Sequence, residues 1–203
     1  MWFIVNQQKK PFTARNSLRK EGVEDRDKMN TISKRYVQIY TGDGKGKTTA
    51  AIGLAIRAAG YGMKTYIGQF MKGQHYGELS TLHDNSLITI EQYGGMECIG
   101  REEVTQIHID QARQGLTTAC DAMLSGQFDI VVLDEINVAL WFELCLIEEV
   151  LDFLGKRPEA VEVILTGRHA PQALIELADL VSEIKEVKHY YTSGILARNG
   201  IER

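Results

Sequence analysis

The sequence predicts an α/β fold in which a mostly parallel sheet carries helices on both faces. Two observations predict it. Short β-prone runs recur along the chain with helical patterns between them, an alternation that favours parallel strands joined by crossover helices. The 203 residues are also 44% hydrophobic and 25% charged, enough apolar material for a single domain with a substantial core.

Residues 1–30 stand apart. From Arg15 to Lys28 mixed charges dominate and few side chains ask for burial, so the segment reads as a charged N-terminal arm, mobile or capping a partner subunit. Met29 offers an alternative start. The domain proper is expected over 31–203. Its strands are expected at 36–40, Thr65–Phe70, Leu87–Tyr93, Ile130–Asp134, Val161–Thr166 and roughly Glu183–Lys188, with helices at 47–59, 101–125, 138–155 and 171–180. Gly60 sits where a helix C-terminal cap is expected, and Pro171 where a first-turn proline is tolerated.

The first strand runs into Gly42-Asp43-Gly44-Lys45-Gly46-Lys47-Thr48-Thr49 and then into an alanine-rich helix. Glycines let a backbone curl so that its N–H groups face an anion, and the dipole of the following helix points its positive end at the same place. Lys47 can reach the outer phosphates of a nucleotide, and the Thr48 hydroxyl can hold Mg²⁺. The common form of such a loop has four residues between its outer glycines. Here only Asp43, Gly44 and Lys45 separate Gly42 from Gly46, so the cradle is one residue short and is expected to hold phosphates in an unusual way.

In open parallel sheets, ligands bind beyond the carboxyl ends of the strands. The segments there are the phosphate loop, Met71-Lys72-Gly73, Gly94-Gly95-Met96, Asp134-Glu135, Gly167-Arg168-His169 and His189-Tyr190-Tyr191. Phe128 to Glu135 reads as a buried strand ending in two carboxylates, the pattern of a second anchor for nucleotide-bound Mg²⁺. Glu135 is then either a base for an attacking water or a metal ligand. Arg168, just past a strand end, suits a phosphate or carboxylate, against the plainer reading of a surface ion pair. Arg57 lies too far along its helix to reach phosphates at the helix N-terminus; a neighbouring strand or a substrate above the sheet is within its range. His169 caps, packs or binds. Tyr93, Met96, Cys98 and Ile99 are either core or an apolar wall for a large flat ligand. No nucleophile and base arrangement and no metal-ligand cluster can be recognised.

The net charge of −4 gives no reason to expect nucleic acid. Cys98, Cys120 and Cys145 lack zinc or redox spacing, which points to free thiols in a reducing cytoplasm. Trp2-Phe3-Ile4-Val5 is too short for a signal-peptide core, and no run approaches the roughly 20 apolar residues that span a bilayer.

Together the motifs resemble the P-loop class of ATP:corrinoid adenosyltransferases, from about Tyr36 to Ile201. The resemblance rests on the shortened Gly42 to Ala51 loop, Val132-Leu133-Asp134-Glu135, Leu165 to Pro171 and Gly200-Ile201-Glu202. It implies a single P-loop NTPase-like domain that binds ATP with its γ-phosphate where an inner phosphate usually lies. It further implies that the Co(I) of a reduced corrinoid attacks the ribose C5′ and displaces triphosphate. Lys47 and Glu135 become the catalytic residues; Gly42, Asp43, Gly44, Lys45, Gly46, Lys47, Thr48, Thr49, Arg57 and Arg168 the ligand contacts; Thr48, Glu135 and Asp134 the site of Mg²⁺ or Mn²⁺. The resemblance also implies a homodimer and an electron-donating reductase such as a flavoprotein. Relatives use aromatic residues in the loop after the third strand to hold cobalt without its lower axial ligand; this chain has no tryptophan in that loop, and Met96, Cys98 and Ile99 occupy the region. An ATPase or kinase acting at the γ-phosphate, or an ATP-gated corrinoid carrier, are the competing functions.

Overall fold

In a computed structural model, residues 34–202 are described; the arm at 1–30 and the alternative start at Met29 lie outside them. Six strands form one sheet: β1 Val37–Thr41, β2 Thr65–Phe70, β3 Ile88–Tyr93, β4 Ile130–Asp134, β5 Glu162–Thr166 and β6 Leu180–Glu183. Their order is β3-β2-β4-β5-β1-β6, and every pairing is parallel. The helices are α1 Lys47–Gly60, α2 Gly77–Leu82, α3 Gln106–Leu124, α4 Ile136–Trp141, α5 Ile147–Gly155 and α6 Gln172–Leu177.

The strands alternate their side chains between two cores, one on each face, as period-two geometry requires. Ile130 and Val132 of β4 join Ile164 of β5 and Ala51, Ala55 and Ala58 of α1. Val131, Leu133, Val163 and Leu165 turn the other way, onto Ala112, Leu116, Ala119 and Met123 of α3 and Val150 and Phe153 of α5. Alanines at every third or fourth position let α1 lie close on the sheet. Each fully buried branched side chain contributes about 1.5–3 kcal/mol, which is why β4, buried along its whole length, anchors the centre.

Four expectations need correction. The strand expected at roughly Glu183–Lys188 lies at Leu180–Glu183, and the helix expected over 171–180 stops at Leu177. The last strand is an edge paired only with β1, with all four residues exposed, so it carries none of the apolar alternation by which strands are read. Beyond it the chain leaves the sheet: Ile184 N–H donates to Thr41 C=O, and Ile184 C=O accepts from Gly44 N–H. The helix expected over 138–155 is broken after Trp141, where Glu143 takes a left-handed conformation, φ 60°. In the expected helix 101–125, residues Arg101–Glu103 form a separate 3₁₀ turn. The short α2 was not anticipated.

Candidate active site

The chain turns sharply as it leaves the carboxyl edge of the sheet. Gly42, Met71 and Glu135, each directly after a strand, have φ of 93°, 56° and 64°, and Gly167 after β5 has 126°. Left-handed backbone at non-glycine residues costs of order 1–3 kcal/mol and is retained where the surroundings enforce it. At Glu135 its own N–H donates to Thr166 Oγ1 at 2.9 Å, fixing the turn that lifts the carboxylate out of the sheet.

The glycines of the phosphate loop are required by close approach as well as by φ. A Cβ on Gly42 would stand 2.5 Å from Ile184 O, and one on Gly44 2.8 Å from Ile184 O and Lys185 C. Gly46, at φ 123°, precedes α1 and leaves the helix N-terminus without a side-chain cap, so its N–H groups face the loop. Lys47 is buried, and its ammonium donates to Gly42 O at 2.7 Å and Gly44 O at 2.8 Å. Burial lowers its pKa, opposed by the Glu135 charge.

Behind the loop, Asp134 is 1% exposed and fully bonded. Its Oδ1 accepts from Thr48 Oγ1 at 2.8 Å and Thr166 Oγ1 at 2.7 Å; its Oδ2 accepts from Lys72 Nζ at 2.7 Å and Gln69 Nε2 at 3.2 Å. Glu135, by contrast, accepts no side-chain hydrogen bond from the described residues. Burial raises its pKa first, and the Asp134 charge adds to this; Lys72, Lys47 and Arg168 oppose it.

These groups line one open cleft of about 980 Å³. Asp43 to Thr49, Glu135 and Arg168 are among its polar lining residues, and Met71, Tyr76, Ile99 and Phe142 among its apolar ones. Arg168 donates from Nη2 to Asp43 O at 3.3 Å, a contact with the loop backbone rather than a surface ion pair. Arg57 does not join this group; it is exposed, near Tyr40 and three turns along α1. Of the loop after β3, Cys98 and Ile99 face the cleft, whereas Tyr93 and Met96 do not line it. His169 stacks on Trp141, with ring centroids 4.4 Å apart.

Sequence reasoning gave no role to Lys72, Thr166 or Tyr76. Lys72 and Thr166 could have been found by asking what the last strand residues and their immediate successors bind. Tyr76 precedes the helix that was missed. Lys45 is also held in a way not anticipated: it donates to Ile201 O at 2.7 Å and pairs with Glu202 at 2.9 Å.

The donor set suits a nucleotide-bound Mg²⁺ or Mn²⁺. No group of three or more histidine, cysteine, aspartate or glutamate side chains that could hold a metal occurs among the described residues. A metal that keeps several waters and binds phosphate needs only one or two protein oxygens, and Thr48 and the unbonded Glu135 carboxylate offer them.

A parallel sheet with a glycine cradle after one strand and paired carboxylates after another defines a P-loop nucleotide-binding domain. A family model described as ATP:corrinoid adenosyltransferase BtuR/CobO/CobP matches residues 33–203. The corrinoid adenosyltransferase of Escherichia coli K12 is 34% identical over 186 residues, covering 90% of this chain and 93% of the relative. Corrinoid adenosyltransferase CobA of Salmonella typhimurium gives the same identity and coverage. An uncharacterised Nostoc protein is 36% identical over 180 residues, 82% of this chain, which spans only 47% of that protein's length. The chain belongs to the ATP:corrinoid adenosyltransferase family, and it is a transferase of that kind.

Proposed function

We propose that this chain moves the 5′-deoxyadenosyl group of ATP to the Co(I) of a reduced corrinoid, using the cleft residues as follows. The observation that carries this assignment is the cleft itself, where an anion-binding loop and apolar side chains line one space of about 980 Å³, room for a nucleotide and part of a flat macrocycle. The triphosphate lies along Gly42 to Thr49, reversed so that the γ-phosphate takes an inner position; the shortened loop supports that. C5′ then projects toward Met71, Tyr76, Ile99 and Phe142.

In the transfer, the electron pair of Co(I) forms the cobalt–carbon bond, the C5′–O5′ bond breaks, and triphosphate departs with that bond's electrons. Co(I) is already a strong nucleophile, so no side chain need activate it. The protein stabilises charge on the leaving group instead. Lys47, the loop N–H groups and the positive end of α1 are aimed at it before the reaction begins. Arg168, beside the loop, and Lys45, within it, add positive charge. Thr48 and Glu135 would hold the metal, with Asp134 fixing the Thr48 hydroxyl from behind. When bound, Mg²⁺ supplies further neutralisation of the departing triphosphate. Glu135 acts in this reading as a ligand, not as a base.

The proposal extends to a homodimer working in the cytoplasm, with a flavoprotein-type reductase as electron donor. Free thiols at Cys98, Cys120 and Cys145 support a reducing compartment. Among the described residues, no helix is long and apolar enough to cross a membrane.

The test is anaerobic incubation with ATP, reductant and a corrinoid. A cobalt–carbon bond seen by visible absorption, with one intact triphosphate per bond, is expected. ADP and phosphate formed without corrinoid would reject the assignment in favour of a γ-phosphate enzyme, and ATP-dependent corrinoid binding without a new bond would favour a carrier.

A further inference from the structure

Lys72 follows β2 by two residues, and the left-handed turn at Met71 directs it into the cleft. Its side chain is 13% exposed. Its ammonium lies 2.7 Å from Asp134 Oδ2 and 3.3 Å from Thr48 Oγ1, with the Tyr76 ring centroid at 5.2 Å. Thr48 gives its own hydrogen to Asp134 Oδ1. What Thr48 has left for a cation is its lone pairs, and Lys72 already uses one. Thr48 and Asp134 thus surround an ammonium group with oxygens that a divalent ion would also seek, while the Glu135 carboxylate lines the same cleft and accepts no hydrogen bond from the described residues.

We propose that Lys72 is a built-in competitor of the metal. It holds Thr48 and Asp134 while the cleft is without nucleotide, and so keeps a bare divalent cation out. When the metal arrives with the triphosphate, Lys72 gives up its longer contact to Thr48 and keeps the shorter one to Asp134. The flexible four-carbon stem permits such a shift without movement of the backbone. Metal therefore enters as the nucleotide complex, and Lys72 is a positioning residue that sets this order. The inference rests on the reading that Thr48 and Glu135 hold the metal.

Mn²⁺ is the probe, its free and bound forms separated by electron paramagnetic resonance. Wild type, Lys72→Met, Lys72→Gln and Glu135→Gln are titrated with Mn²⁺ alone and with Mn²⁺ plus ATP. Loss of a charge-assisted contact corresponds to about a tenfold change in affinity. Lys72→Met is expected to bind Mn²⁺ alone at least about tenfold more tightly than wild type by that measure. The gain should vanish in the Lys72→Met, Glu135→Gln double variant. Equal affinity of wild type and Lys72→Met for Mn²⁺ alone would overturn the inference, and so would a gain that survives in the double variant. If Lys72→Met fails to fold, Lys72→Gln, which keeps a neutral donor to Asp134, carries the test with the same outcomes. The underlying reading fails separately, if Glu135→Gln binds Mn²⁺ with ATP as tightly as wild type does.

Discussion

The Glu202 carboxylate lies 2.9 Å from the Lys45 ammonium, so a residue more than 150 positions away grips the tip of the phosphate loop. Arg198 and the Tyr190 hydroxyl converge on the same carboxylate. Hydrogen bonds from Arg198, Tyr190 and Lys45 hold its pKa far below the usual carboxylate range. Glu202→Ala removes all three contacts and frees Arg198. Limited trypsin digestion after Arg198 is expected to run roughly severalfold faster in the variant, with the sheet unaffected, because proteolysis tracks local opening. An unchanged digestion rate would show that the clasp does not order this segment.

In the proposed reaction Lys47 meets the departing triphosphate; its ammonium is held by two loop carbonyls. Removing a preorganised charge of this kind typically costs about a hundredfold to a thousandfold in turnover. Lys47→Ala is expected to lose that much in corrinoid adenosylation while its circular dichroism stays that of wild type. Wild-type turnover in the variant would remove Lys47 from the mechanism.

Glu135 gives a pH signature. Its pKa is raised in the folded protein, burial being the largest cause, from an ordinary value of 4.5. Between 4.5 and the raised value the native state binds more protons than the unfolded state, so the stability this group contributes is lost as pH rises through that window. Glu135→Gln lacks this loss. Without nucleotide, the Tm of the variant should exceed that of wild type by a margin that grows as pH rises above the ordinary carboxylate range and then levels off. A margin independent of pH would contradict the burial argument.

Gly115 of α3 faces the Tyr93 ring of β3, and a Cβ there would stand 2.6 Å from Tyr93 Cγ. That ring cannot give way easily, since the Tyr93 hydroxyl is tied to Tyr66 and Glu91. Overpacking of this kind costs about 1–3 kcal/mol, so Gly115→Ala should lower the urea midpoint without changing the slope. Equal midpoints would mean that α3 simply lifts away.

The cysteines differ enough to be told apart chemically. Cys98 is exposed at the cleft, whereas burial pushes the Cys145 thiol up to about 12 and raises that of Cys120. Iodoacetamide at neutral pH should label Cys98 first, as mass spectrometry of peptides would report, and a bound corrinoid should slow it. Labelling of Cys145 before Cys98 would contradict the burial pattern.

The central strands could be read from sequence because they are buried on both faces and therefore spelled as continuous apolar runs, as in Ile130-Val131-Val132-Leu133. Edge strand β6 could not, since its Leu180-Val181-Ser182-Glu183 packs against nothing that selects a pattern. The phosphate loop and the Asp134-Glu135 pair were legible because backbone chemistry dictates their residue types. Lys72 was visible only as one lysine after a strand. Its role depends on Thr48 and Asp134, which lie 24 and 62 positions from it; pairing of β2 with β4 brings Asp134 near, and the start of α1 brings Thr48.

Strand β1 has its two neighbours in β5 and β6, so the strand made first is sandwiched between the two made last. During synthesis on the ribosome, residues 37–41 must wait for residues 162–183 before either edge is satisfied. The cradle that follows β1 has no fixed scaffold until then. A chain that stops short of residue 183 is accordingly expected to bind nucleotide poorly, the cradle gaining its scaffold only once β5 and β6 have paired with β1.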